Sequence, residues 1–120
     1  MADKDERGRA GEDRAAAHLH ARGWRILDRN WRCPIGEIDI VAEQGRDLIV
    51  VEVKTRRSEA YGHPFAAVDE RKRRRLWKLA RAWCLAHPDL AHARVLRLDL
   101  IGIIGDDPAV AALEHLEDLR

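Results

Sequence analysis

Apolar positions follow two rhythms along this chain, and the changes between them mark the elements. From Gly8 to Arg22, Ala15, Ala16 and Leu19 recur at helical spacing, with Arg14, His18 and Arg22 turned largely away. Gly23 stands where a helix C-cap would place it. Over Trp24–Trp31 the rhythm becomes an imperfect alternation, with Trp24, Ile26, Asp28 and Asn30 set against Arg25, Leu27, Arg29 and Trp31, which reads as a strand. Arg32-Cys33-Pro34-Ile35-Gly36 then turns the chain. Two further strand-like runs, Glu37–Glu43 and Asp47–Thr55, flank Gln44-Gly45-Arg46 and predict a hairpin. Phe65, Val68, Leu76, Leu79, Ala80 and Trp83 predict a second helix over about Phe65–His87, opened by Pro64 and stopped by Pro88. Ala93–Ile104 reads as a strand, with Leu96, Leu98 and Leu100 on one side and Val95, Arg97, Asp99 and Ile101 on the other. Gly105-Asp106-Asp107-Pro108 is a turn. Beyond it Val110, Leu113, Leu116 and Leu119 favour a short amphipathic helix, with a closing strand over part of Ala109–Arg120 as the competing reading.

Composition narrows the class. A chain of 120 residues suits one compact domain over 1–120, with the charged residues 1–7 expected to fray. Hydrophobic content of 46% beside 36% charged residues describes a globular protein with a heavily charged surface. The net charge of +1 gives no global steering toward nucleic acid, so any such role must come from local clusters. The two cysteines, Cys33 and Cys84, exclude a disulfide scaffold and argue against a zinc site. MADKDERGRAGED has no apolar core of a signal peptide and no stretch approaches membrane-spanning length, so a reducing cytoplasm is the expected compartment.

The chemistry gathers in the hairpin. Leu48–Val51 is apolar on both faces, as in a strand buried in mid-sheet, yet Glu52 and Lys54 stand on one of those faces just beyond it. Leaving ions there is costly unless they are paired, metal-bound or at an opening. Glu37, Asp39 and Val41 share a face of the preceding strand, and hairpin pairing brings Asp39 near Glu52. Two carboxylates at close range repel, and a divalent cation removes the repulsion; hard oxygen ligands suit Mg²⁺ or Mn²⁺. Lys54 is then placed to orient water or steady charge on a phosphate. The competing reading is a plain Glu52–Lys54 ion pair at a strand end, with Asp39 solvated. Glu12, seven residues before Leu19, belongs to the buried stripe of the first helix, where it either supports the site or merely answers the helix dipole.

Cations cluster elsewhere. Arg56 and Arg57 follow the second strand of the hairpin, and Arg71-Lys72-Arg73-Arg74-Arg75, with Lys78 and Arg81, make a basic surface on the second helix. Lys72 falls on the apolar stripe, four residues after Val68 and four before Leu76, from where it reaches toward the carboxylates or a phosphate. A solvated helix face is the alternative for each of these residues. Trp31 reads as core before it reads as a base-stacking surface, and His63 as a solvated loop residue.

Gly8-x-x-Gly11-Glu12-Asp13-x-Ala15-Ala16-x-x-Leu19, Asn30-Trp31-Arg32-Cys33, Gly36-Glu37-Ile38-Asp39, Val51-Glu52-Val53-Lys54-Thr55-Arg56, Tyr61-Gly62-x-Pro64 and Ala67-Val68-Asp69-x-x-Lys72 together resemble the YraN-like family of small bacterial proteins. Asp39 followed by Glu52-x-Lys54 also resembles the PD-(D/E)XK nuclease superfamily, with Ile38 in place of the proline. The resemblance implies a restriction-endonuclease-like α/β fold with an αβββαβ core, a mixed central sheet flanked by helices. It implies a nuclease-type site of Glu12, Asp39, Glu52 and Lys54, with Asp39, Glu52 and the Val53 carbonyl holding Mg²⁺ or Mn²⁺. Arg56, Arg57, Lys72, Arg73, Arg74 and Lys78 would hold nucleic acid. Similarity to archaeal Holliday-junction resolvases points to branched DNA and a homodimer. A non-catalytic nucleic-acid-binding module with the same fold, or an interaction protein with an internal ion-pair network, are the rival readings.

Overall fold

The computed structural model describes residues 5–119. Helix α1 spans Glu6–Ala21, two residues earlier than expected, because Asp5 serves as its N-cap: its side chain accepts from the Gly8 N–H at 2.7 Å. Of the fraying expected over 1–7, residues 1–4 lie outside the described residues. Arg7 is already helical and donates to the carbonyls of Gly105 and Asp106 at 3.0 and 2.8 Å. The helix closes as anticipated at Gly23 (φ +83°), whose N–H meets the His20 carbonyl while that of Trp24 reaches back to Leu19.

Strands β1 (Arg25–Cys33), β2 (Gly36–Gln44) and β3 (Asp47–Arg56) form an antiparallel meander, with Gln44 paired to Asp47 across a two-residue turn. After helix α2 (Glu70–Ala86) and the short helix α3 (Pro88–Ala91), β4 (Val95–Ile104) runs parallel to β3 along its whole length. Strand β5 (Ala112–Leu116) pairs antiparallel to β4, giving one mixed sheet in the order β1-β2-β3-β4-β5. The order helix, three strands, helix, strand is the αβββαβ arrangement expected. Ala15, Leu19 and Trp24 close a core against Ile40, Ala42, Ile49, Val51, Ile101 and Ile103 on one face of the sheet. Leu76, Leu79 and Trp83 close another against Ile38, Val41, Leu48, Val50 and Leu98 on the opposite face. Burying each such side chain favours folding by about 1.5–3 kcal/mol. No helix among the described residues is long and apolar enough to cross a membrane.

Two expectations need correction. The second helix starts at Glu70, not Phe65: Asp69 caps it by accepting from the Lys72 N–H at 2.9 Å, and Pro64–Ala67 form a separate 3-10 turn. Phe65 therefore packs over Gly102 of β4, where a Cβ would come within 3.1 Å of its ring, and not along α2. The final segment carries a strand where helical spacing favoured a helix. Val110 is 79% exposed and Leu116 41%, so half of the supposed stripe faces solvent. The strand is held by its ladder to β4, by Leu113 packed onto the α1-side core and by a polar contact, in which Asp99, buried in β4, takes His115 of β5 as a partner at 2.8 Å.

Candidate metal centre

β2 and β3 pair from Gln44↔Asp47 back to Ile40↔Val51, and there the register ends. Beyond that point β2 continues against β1 and β3 against β4, so the two strands part like a wedge. At the apex, the carboxylate of Asp39 accepts the Val53 N–H at 2.8 Å, replacing the ladder bond that the splayed backbones no longer make. The side-chain alternation slips here too. Ile38 and Val41 both pack against α2, whereas Ile40 and Ala42 pack against α1. Strict alternation with Val41 therefore does not hold for Asp39, which lines the cleft beside α1 together with Glu12.

α1 supplies Glu12 because Gly11 lets it lie very close to β3. A Cβ on Gly11 would sit 2.0 Å from the Thr55 hydroxyl. Glu12 is 2% exposed and Asp39 7%. One carboxylate oxygen from each of Glu12, Glu37 and Asp39 lies within 4.8 Å of the other two. Oxygens on opposite sides of an octahedral Mg²⁺ are about 4.2 Å apart and neighbouring ones about 3.0 Å, so this all-oxygen set would close in to hold a hard divalent cation. Glu52 hydrogen-bonds Asp39, and burial together with the charge of Asp39 pushes its carboxyl up to about 8. Lys54 stands 3.5 Å from Glu52 and opposes that rise. Burial and the neighbouring acid thus both disfavour the charged form of Glu52.

The four expected residues, Glu12, Asp39, Glu52 and Lys54, therefore line one cleft of 380 Å³, with Val53, Thr55 and Arg56 beside them. Glu37 joins them as an acid that the sequence places on the Asp39 face without marking it as part of the site. It also takes Arg32 at 2.9 Å. Its signal was its position two residues before Asp39.

The cations divide. Lys72 and Arg75 line a second cleft, of 200 Å³, together with Glu37, Glu52 and Lys54. Lys72 shares that cleft with the carboxylates from an exposed place in the first turn of α2, not from the buried stripe on which the spacing put it. Lys78 lies further out on α2, in a basic cleft with Arg71, Lys72, Arg74 and Arg75. Arg73 and Arg74 are both paired with Glu70, Arg73 through its Nε at 2.9 Å and Arg74 at 3.3 Å. Arg56 is exposed at the end of β3, and Arg57 opens onto a different cleft beside Glu6 and Arg7. Trp31 packs into the α2-side core, as expected. His63 is more than a solvated residue: Nδ1 accepts from the Phe65 N–H, and Nε2 is bonded to Glu114.

The model of the uncharacterised protein family UPF0102 matches residues 11–103, a span that runs from Gly11 through the whole wedge to the end of β4. The chain belongs to that family. Relatives carry the same description: a UPF0102 protein of Arthrobacter sp. (strain FB24) is 50% identical over 116 residues, covering 97% of each chain. One from Paenarthrobacter aurescens (strain TC1) is 52% identical over 116 residues, 97% of this chain and 94% of the relative. One from Moorella thermoacetica is 50% identical over 97 residues, 81% of this chain and 79% of the relative. The family description names no activity, so chemistry has to be argued from the wedge.

Proposed function

We propose that this UPF0102 chain is a divalent-metal-dependent nuclease that hydrolyses phosphodiester bonds in DNA. The observation that carries this reading is the convergence of Glu12, Glu37, Asp39, Glu52 and Lys54 where β2 and β3 part. Four acids gather here beside Lys54, with Arg32 on Glu37, and a divalent cation relieves the repulsion between carboxylates at such close range. Mg²⁺ or Mn²⁺ held there supplies a Lewis acid and a water acidic enough to attack near neutral pH. Asp39 and Glu52 would hold it, with Glu12 and Glu37 within reach and the Val53 carbonyl as a further donor. Lys54 orients the attacking water or stabilises charge on the phosphate, and Arg56, Lys72 and Lys78 hold the backbone. Branched DNA, a second copy of the chain for the second cut and a cytoplasmic setting are finer parts of the same proposal, and rest on resemblance and composition.

Lys54→Ala tests it. Cleavage should fall by about a hundredfold or more, while DNA affinity in Ca²⁺ falls only a few-fold, since one phosphate partner is small beside the basic surface. Equal losses in binding and cleavage would make Lys54 a phosphate anchor. Failure of wild type to cut linear, flapped, gapped and four-way DNA with either metal would sink the enzyme reading in favour of a binding module.

A further inference from the structure

Glu52 and Lys54 line two clefts at once. The one beside α1 carries Arg56 at its rim, and the one beside α2 carries Lys72 and Arg75. From the second, the cationic surface continues outward along α2 past Arg71 and Lys78. Arg56 and Arg75 are steadied in the same manner. The Arg56 guanidinium donates to the Thr55 carbonyl at 3.0 Å, and that of Arg75 donates twice to the Ile35 carbonyl, at 3.2 and 2.8 Å. Gly36 (φ +150°) lies under Arg75, and a Cβ there would stand 3.1 Å from Nη2. A carbonyl fixes a guanidinium without cancelling its charge, so the remaining donors stay available to a phosphate. Arg73, held by the Glu70 carboxylate, is neutralised instead.

We propose that a single nucleic-acid strand crosses the end of β3 between these clefts. Phosphates on one side of the scissile bond are held by Lys72 and Arg75, and those on the other side by Arg56. The clefts open on opposite faces of the sheet, one beside α1 and one beside α2, so a backbone held in both has to bend over the end of β3, which an unpaired strand does far more readily than a duplex. The substrate is therefore DNA that presents a single-stranded or splayed segment at the cut. This path rests on the nuclease reading above.

The test uses DNA that wild type cuts at a mapped bond, with single methylphosphonates, which remove one phosphate charge each, placed in turn on either side. Wild type should lose cleavage several-fold for a neutral phosphate on each flank, as expected when one cation is left without its phosphate. Arg75→Ala should become indifferent to neutralisation on one flank only, and Arg56→Ala on the other flank only. Single-stranded or flapped DNA should be cut faster than blunt duplex. Indifference of both variants at the same flank, or faster cutting of blunt duplex, overturns the path and leaves the nuclease reading standing. A wild type that cuts nothing removes both. Thermal melts of the two variants, both changed at exposed positions, confirm that each is folded.

Discussion

Asp99 and Glu52 lie on neighbouring strands one register step apart, yet the fold treats their charges in opposite ways. Asp99 is 1% exposed and surrounded by donors: Arg97 through Nε and Nη2, His115 at 2.8 Å and the Asp118 N–H at 3.0 Å. Arg22 can only donate to His115 Nδ1, so Nε2 of that ring carries the proton given to Asp99. These bonds hold the Asp99 carboxyl below its ordinary value despite its burial. Asp99, His115 and Glu117 also satisfy the spacing of a metal-ligand group, but Arg97 already bridges Asp99 and Glu117 and is itself tied to Asp47. Glu52 has one lysine against the charge of Asp39, and its carboxyl rises to about 8. A buried carboxylate is thus no sign of function in itself. The balance of charge around it separates an internal clasp from a group of acids that a divalent cation would suit.

Removing each acid should expose the difference most strongly. Asp99→Ala takes away the buried acceptor shared by Arg97, His115 and the Asp118 N–H and loosens β5, and should cost about 3–5 kcal/mol in urea unfolding. Glu52→Gln keeps a group that can donate to Asp39 and removes the cost of ionising beside it, and should leave metal-free stability unchanged or raised. A metal-free Glu52→Gln as unstable as Asp99→Ala would mean that both acids serve the fold.

The pH dependence should run in opposite directions at the two places. For Glu52 the folded carboxyl is raised above the unfolded one, so the folded state binds the extra proton. Its contribution to metal-free stability falls as pH rises from about 4.5 through about 8. For Asp99 the folded carboxyl is lowered, so its stabilisation is present above the unfolded value and is lost as pH falls through the folded one. His18 adds to that acid-side loss. Burial first, then the charges of His115, Arg22 and Arg14, lower its ring below 6.5, so folding disfavours its proton and stability drops as pH falls through that value. Glu52→Gln should flatten the decline in Tm between about pH 4.5 and 8, and His18→Gln the loss that sets in as pH falls below 6.5. A curve unchanged by Glu52→Gln would remove the strained acid pair.

Metal should sharpen the contrast. Mg²⁺ or Mn²⁺ at about a hundred times its dissociation constant stabilises the folded state by about 2.7 kcal/mol. Asp39→Asn should abolish that gain while the chain still folds. A milder change at the other group, Glu117→Gln, should keep it in full. An equal response in Asp39→Asn and wild type would place the ion elsewhere.

What could be read from sequence was what depends on near neighbours. Glu52 and Lys54 were legible because strand alternation beside the doubly apolar Leu48–Val51 run sets charges on a core face, and Asp39 because hairpin pairing brings it near Glu52. Glu12 was legible from its helical spacing to Leu19. The Asp99–His115 clasp was not, because its two residues stand on different strands, and the leucines of the last segment imitate a helix. The slip at Ile38–Ile40 was equally hidden. It comes from Asp39 bonding into the backbone of β3, which no periodicity announces. Arg75 looked like one of five similar cations, and only its seat on the Ile35 carbonyl distinguishes it.

The same charge balance should grade the cations of α2, with a smaller effect. Arg73 shares Glu70 with Arg74, which holds the Glu70 carboxyl low and the Arg73 guanidinium high, each chiefly through the hydrogen bond to the other. A phosphate would have to compete with that carboxylate, so Arg73 gains little by leaving it. Lys72 shares its first-turn position but faces the small cleft beside Glu52 and Lys54. For each phosphate that a cation no longer neutralises, the slope of log affinity against log salt should fall by about one. Measured on single-stranded DNA in Ca²⁺, Lys72→Ala should therefore reduce the slope by about one unit and Arg73→Ala by much less. Glu70→Gln supplies the converse, since freeing both arginines should steepen the slope. If Arg73→Ala flattens it as much as Lys72→Ala does, pairing with Glu70 does not withhold Arg73 from DNA, and charge balance governs the buried acids without governing this surface.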